Sequence, residues 1–100
     1  PEDNRPLRLP STVLQGKAIV RNTPAYPITA KQARLEGSVS VEVIISPDGR
    51  VESARAVSGH ALFKAASVTA ATGWRFQPTL LNGTPVQVTG VIVFNFKLNE

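Results

Sequence analysis

The sequence contains neither cysteine nor methionine among its 100 residues. Disulfides and thiolate metal sites are therefore excluded, whereas the cellular compartment stays open. Because position 1 is proline, we expect the chain to be a fragment of a longer protein. No apolar run reaches about 18 residues, so the sequence predicts no membrane-spanning helix. We expect any membrane anchor to lie outside these residues.

Residues that carry catalytic chemistry are also sparse. His60 is the only histidine, and no acidic residue is placed to align it in a Ser-His-acid set. A single histidine without cysteine is too few for a zinc site, and the seven glycines are scattered rather than gathered in a phosphate loop. We therefore predict a protein that is not an enzyme and has no metal, cofactor or small-molecule substrate.

The formal net charge is +4, which raises the question of a nucleic-acid partner. The basic residues are spread along the chain, and they form no cluster beside aromatic residues. We favour a solvated, mildly basic surface over a nucleic-acid interface, and we predict no nucleic-acid partner.

The length is that of one domain. Residues 1–20 begin with a proline-rich, mixed-charge stretch, which predicts a linker or an N-terminal arm that could include a short extra strand over residues 13–20. Residues 21–100 are the expected folded domain.

Apolar periodicity predicts the elements of that domain. Two helices are expected over residues 28–35 and Ala61–Thr72, and three strands over residues 38–46, 51–57 and 85–98. The predicted fold class is α+β: two helices pack on one face of a three-stranded antiparallel sheet, a two-layer sandwich, with strand order second–first–third.

Several residues have predicted structural roles. Ser58 is a candidate cap for the second helix, although the helix could start a residue or two later, and His60 is expected as a polar residue at the helix start. Val51 and Val57 are expected on one face of their strand, and Trp74 and Phe76 are expected in the core. Two other sets are expected to face the interior between the sheet and the helices. In the first strand they are Val39, Val41, Val43 and Ile45, and in the second helix they are Leu62, Ala65, Ala66, Thr69 and Ala70.

The long last strand, residues 85–98, is the main candidate for function. At the edge of the sheet it would offer unpaired main-chain groups, to which a peptide strand can add. Val91 and Val93 lie in its outward register, while Asn95 and Lys97 give some protection. Alternatively, residues 13–20 cover this edge or two copies of the chain pair through it. Tyr26, held between two prolines, is expected near the surface, either packed or in contact with a partner.

Four short motifs follow one another along the chain in a fixed order. They are Tyr26-Pro27, Gly37-x-Val39, Asp48-Gly49-x-Val51 and Trp74-Arg75-Phe76-x-Pro78. The series resembles the C-terminal domain of TonB-type energy transducers, in a TonB-like branch. The resemblance covers residues 23–98, about three quarters of the chain.

The resemblance implies a periplasmic domain of a protein anchored in the inner membrane of a Gram-negative bacterium. Such a domain binds the TonB box of outer-membrane transporters by adding a strand to its own last strand. It transmits proton-motive energy from the ExbB–ExbD motor, which the missing N-terminal part would contact. Some members of the branch have other architectures, so the alternative is a dimerisation or scaffold module of a multidomain envelope or sensor protein.

The family's binding residues carry over to two stretches of this sequence. They are Asn22, Thr23, Pro24, Ala25, Tyr26, Val91, Val93, Asn95 and Lys97. The motif positions expected to be structural are Pro27, Gly37, Asp48, Gly49, Trp74, Phe76 and Pro78. Some members carry glutamines around the Tyr-Pro pair, where this chain has Thr23 and Ala25; this departure bears on side-chain contacts rather than on strand addition.

Overall fold

The computed structural model describes residues 6–98. The predicted linker residues 1–5, and residues 99–100, lie outside that range. The helices are α1 (Ser11–Gly16), α2 (Ile28–Gln32) and α3 (Ala61–Thr72). The strands are β1 (Leu7–Arg8), β2 (Ala18–Val20), β3 (Gly37–Ile45), β4 (Val51–Ser58), β5 (Arg75–Phe76), β6 (Thr79–Leu81), β7 (Thr84–Val86) and β8 (Val88–Phe96). No helix within residues 6–98 combines the length and apolarity needed to cross a bilayer.

The main sheet has the strand order β1-β8-β3-β4. Its three long strands are antiparallel and follow the predicted order, and the α+β class is confirmed. The prediction of three strands and two helices is wrong, because β1 pairs in parallel with the start of β8 and α1 is a third helix. A two-residue strand and a six-residue helix between prolines are too short to produce a clear periodicity, so the sequence pattern did not reveal them.

The core lies between the sheet and the helices. The four predicted core residues of β3 are at most 1% exposed, which confirms the face assigned to that strand. On β8 the alternate residues Val88, Ile92, Phe94 and Phe96 are buried. The Phe63 ring of α3 stacks on Phe96 with ring centroids 4.2 Å apart, so the helix is fixed directly over this strand.

Helix α3 presents a different face to the sheet from the one predicted. Its buried residues are Phe63, Ser67, Ala70 and Ala71. Of the predicted stripe only Ala70 is among them, and Leu62 is 39% exposed. Apolar residues surround most of this helix, so periodicity does not select a face, and the large Phe63 ring takes the interior instead of Leu62. The Ser67 hydroxyl donates to the Phe63 carbonyl at 2.8 Å, which satisfies its hydrogen bond inside the core.

The cap of α3 is His60 rather than Ser58. The His60 Nδ1 accepts the Leu62 N–H at 3.1 Å, whereas Ser58 is the last residue of β4. The imidazole nitrogen thereby satisfies one of the free N–H groups at the start of the helix. This contact gives the single histidine a structural role at the start of α3.

Strand β4 carries two irregularities in its pairing with β3. Ile45 pairs with Val51 and Ile44 with Ser53, so Glu52 is left over, and a second register shift leaves Val57 over. Each extra residue reverses the alternation of the strand. Val57 is therefore 46% exposed, and the prediction that Val51 and Val57 share a face is wrong.

Two two-stranded ribbons flank the sheet, β2 with β5 and β6 with β7. The predicted strand over residues 85–98 is in fact two strands separated at Gln87, because β7 turns back onto β6 through Asn82 and Gly83. Helix α2 is shorter than predicted, and Arg34 follows it with a positive φ of 56°. Trp74 and Phe76 are buried as predicted, at 6% and 2% exposure.

Candidate functional site

The free side of β8 is the candidate site. The strand pairs with β3 over nine consecutive residues, from Gly37 with Phe96 to Ile45 with Val88, without a register shift. In an antiparallel ladder, alternate residues direct both main-chain groups away from the neighbouring strand. Here the carbonyl of Thr89 and the N–H of Val93 make hydrogen bonds on the side away from β3. The outward set therefore includes Val91, Val93 and Asn95, all three predicted as binding residues.

Residues 7–15, which we call the N-terminal arm, occupy part of this edge. Within the arm, the main-chain N–H groups of Leu7 and Leu9 donate to the carbonyls of Gln87 and Thr89 at 2.9 and 3.0 Å. The prediction of a wholly unpaired edge strand is therefore wrong at its N-terminal end. Leu7, Leu9 and Arg8 alternate in a strand too short to stand out in the sequence, which is why the pairing was not predicted.

Further along the edge, two side chains of α1 replace main-chain partners. The Ser11 hydroxyl donates to the Val91 carbonyl at 2.5 Å, and the Gln15 Oε1 accepts the Val93 N–H at 2.9 Å. Sequence reasoning missed both residues, since isolated polar residues in a short helix give no signal. The alternative in which residues 13–20 cover the edge is close to what is seen, but the cover is formed by residues 7–15.

Leu14 anchors the arm to the domain. Its side chain is 1% exposed and belongs to the core. A Cβ on Gly90 would lie 2.8 Å from Leu14 Cδ2 and 3.0 Å from the Leu9 carbonyl oxygen. The absence of a side chain at Gly90 is therefore what allows the arm to approach β8 so closely.

The C-terminal end of the β8 edge is left open. The Asn95 side chain accepts a hydrogen bond from the Ser38 hydroxyl at 2.6 Å, but among residues 6–98 no partner meets its outward main-chain N–H and carbonyl. Lys97 follows in the same alternation and is exposed. The Leu98 N–H donates to Glu36 Oε2 at 2.7 Å, which fixes the chain just beyond the strand.

The opposite edge of the sheet is β4, and its geometry differs. The two extra residues of β4 bend and twist the strand locally, a common way in which proteins protect an edge from pairing with another chain. Because β8 is regular and β4 is not, β8 is the edge suited to accept an added strand.

The second predicted group of binding residues lies apart from the edge. Residues 21–25 and the outer side of α3 form a groove of about 560 Å³. It is lined by Arg21, Asn22, Thr23, Pro24, Ala25, Ala65, Ala66, Thr69 and Ala70. The Trp74 indole N–H donates to the Asn22 carbonyl at 3.0 Å, so this hydrogen bond connects residues 21–25 to the core residue Trp74.

Tyr26 connects the two predicted groups. Its ring meets those of Phe63 and Phe96 edge to face, with centroids 5.7 and 5.6 Å apart, and its hydroxyl donates to the Leu35 carbonyl. The pKa of the Tyr26 phenol is raised. The main cause is that these neighbours remove water from the hydroxyl, and the nearby Glu36 carboxylate adds to the effect. The side chain is thus engaged in packing against the end of β8, one residue from Asn95.

Comparisons with known proteins agree with this architecture. The family model of the Gram-negative bacterial TonB protein C-terminal matches residues 22–98. The chain is 35% identical over 86 residues to Protein TonB of Escherichia coli, and this match covers 83% of this chain and 34% of that protein. It is 36% identical over 86 residues to Protein TonB of Klebsiella pneumoniae, covering 83% and 33%. The chain thus spans about a third of the length of these relatives.

A solved structure shares the fold. The solution NMR structure of the Pseudomonas aeruginosa TonB CTD superposes with a TM-score of 0.69 at 28% identity, covering 84% of this chain and 87% of that one. The family match takes in α2, α3 and the strands β3 to β8, and it begins after β1, α1 and β2. The chain belongs to the TonB C-terminal domain family of Gram-negative bacteria.

Proposed function

We propose that this chain is the periplasmic C-terminal domain of a TonB-type energy transducer and that it binds the TonB box of outer-membrane transporters by β-strand addition to β8. The full-length protein would be anchored in the inner membrane and driven by the ExbB–ExbD motor through a segment outside this chain. Family membership supports this proposal, and it requires neither catalysis nor a cofactor.

The observation that carries the proposal is the regular edge of β8. Nine pairs without a register shift keep its outward N–H and carbonyl groups at the spacing that another strand needs. Main-chain hydrogen bonds would supply the affinity, and alternate side chains would supply the specificity. Val93 is 40% exposed on the face of the sheet away from the helices, so an apolar residue of the added strand could pack beside it.

Strand addition also suits the transmission of force. A partner paired along β8 distributes a pull along the strand over several hydrogen bonds at once. The load then passes into β3 through the nine-pair ladder. Phe96, buried at the end of β8 and stacked on Phe63, connects this ladder to α3.

Substitution of Asn95 tests the proposal in an NMR titration with synthetic TonB-box peptides. Asn95→Pro removes the outward N–H without removing a main-chain hydrogen bond to β3. Asn95→Ala is the matched control, because it also loses the Ser38 contact but keeps the N–H. We expect peptide shifts along β8 in the wild-type and alanine proteins and none in the proline variant.

The same titration can overturn the proposal. Equal affinity in the alanine and proline variants, with both folded, would mean that the main chain of β8 is not the contact. Dimerisation through this edge is a separate outcome: sedimentation at high concentration would then show a wild-type dimer that Asn95→Pro abolishes.

A further inference from the structure

Some outward main-chain groups of β8 are occupied by the arm and others are open. The outward groups that the arm holds include the carbonyls of Gln87, Thr89 and Val91 and the N–H of Val93. Within residues 6–98, the stretch from the Val93 carbonyl to Lys97 is not covered by the arm. Only alternate residues of this stretch direct their main-chain groups outward, so a partner strand of the common length, about five or six residues, reaches the groups that the arm already holds.

Helix α1 occupies the space that an added strand would need. Neighbouring strands lie about 4.8 Å apart, and the Ser11 hydroxyl touches the Val91 carbonyl at 2.5 Å. Helix α1 therefore stands where the main chain of an added strand would run. A partner that pairs beyond Asn95 must take the places of Ser11 and Gln15.

We infer that the N-terminal arm is an intramolecular competitor for the edge of β8, and that a partner strand binds only when the side chains of Ser11 and Gln15 release Val91 and Val93. This inference rests on the proposed function. The apparent affinity for the partner is then reduced by the small fraction of molecules in which the edge is open. Any change that loosens α1 strengthens binding without adding a contact to the partner.

Ser11 and Gln15 are the point of release because a partner strand reproduces what they provide. The serine hydroxyl donates to a carbonyl and the glutamine oxygen accepts from an N–H, which are the two contacts that the main chain of a new strand makes. Both residues are partly exposed, so water can approach the contacts and compete. The buried Leu14 and the pairing of β1 tie the arm to the domain and would restore the cover after the partner leaves.

The test compares the double variant Ser11→Ala/Gln15→Ala with Thr12→Ala/Val13→Ala. The control changes two exposed positions of the same helix to the same residue and keeps the contacts of Ser11 and Gln15 with β8. Hydrogen exchange of the Val93 amide, measured by NMR without peptide, reports the state of the arm. Titration with a synthetic TonB-box peptide reports the affinity.

We expect faster exchange at Val93 and an affinity about fivefold or more above wild type in the Ser11/Gln15 variant, and neither change in the control. Loss of two hydrogen bonds of ordinary net strength corresponds to a change of at least that size. The single variants Ser11→Ala and Gln15→Ala should each give a smaller part of the effect.

Failure of the competition by the arm and failure of the proposed function give different results in these experiments. Equal affinity of wild type and double variant, with or without faster exchange at Val93, overturns competition by the arm while leaving strand addition in place. Absence of peptide binding in every form, with folded spectra, overturns the proposed function and the competition together.

Discussion

Gly49 and Phe76 are joined through their main chains: the Phe76 N–H donates to the Gly49 carbonyl at 2.9 Å. Gly49 has a φ of +93°, and a Cβ on it would lie 2.0 Å from the Phe76 carbonyl oxygen. The β3–β4 turn thus presses directly on the strand that carries the core residue Phe76. Glycine is required here both for its conformation and for the space.

This contact predicts a large effect for Gly49→Ala. Gly83 is the matched control, since it also has a positive φ, +81°, but has no atom within 4 Å of an added Cβ. A positive φ alone costs about 1–2 kcal/mol for alanine, and we expect Gly83→Ala to lose that much stability. Gly49→Ala should lose about 1–3 kcal/mol more because of the clash. Urea unfolding measures both, and equal losses would contradict the crowding.

The sequence predicted β3 better than β4 for a physical reason. An unbroken alternation such as that of Val39 and Val41 translates directly into a buried face. Extra residues at Glu52 and Val57 reverse the alternation of β4, and bulges are not visible in the pattern of apolar residues. The predicted buried face of α3 was wrong for a similar reason. Residues of comparable apolarity lie on most sides of the helix, so the size of Phe63 decides which side faces the core.

The alternation of residues along a strand also predicted part of the candidate site. The outward register of Val91, Val93 and Asn95 follows from the alternation of β8. The cover by Ser11 and Gln15 depends on two side chains meeting a strand some 80 residues away along the chain. No local signal records such a contact, so this part of the site required the structure.

Leu14 gives a prediction about the N-terminal arm. Because its side chain is 1% exposed in the core, Leu14→Ala should lower the free energy of unfolding by about 2–5 kcal/mol. Val13→Ala is the control, since Val13 is 47% exposed, and a change within about 0.5 kcal/mol is expected. Urea unfolding measures both. Similar small effects at the two positions would mean that the arm is not part of the cooperative core.

Thr79 is a site where a substitution should stabilise the domain. Its Oγ1 is buried and finds no hydrogen-bond partner in residues 6–98. A buried, unsatisfied hydroxyl costs about 1–3 kcal/mol, and valine has nearly the same shape and suits a strand. We expect Thr79→Val to raise the free energy of unfolding by about 1 kcal/mol. Thr84→Val, at an exposed position of β7, should change it little; an equal gain there would point to strand propensity instead.

The carboxyl group of Asp48 predicts how stability depends on acid. A hydrogen bond from the Ser46 hydroxyl is the main cause that lowers the pKa of Asp48, and Arg50, 3.5 Å away, adds to it. A pKa lowered by folding means that the folded state binds the proton less strongly than the unfolded state. The resulting stability is fully present above the unfolded pKa, about 3.9, and is lost as the pH falls through the lower, folded value.

Asp48→Asn tests this dependence, because asparagine keeps the turn-forming side chain but does not titrate. The wild-type protein should be more stable than the variant at neutral pH, and the difference should shrink as the pH falls below about 4. Urea unfolding at a series of pH values measures the difference. Ser46→Ala removes the main cause of the shift, so it should reduce the acid dependence of the wild-type carboxyl. A difference between the wild-type and Asp48→Asn proteins that stays constant down to the acid limit of folding would show that Asp48 has the same pKa in the folded and unfolded states.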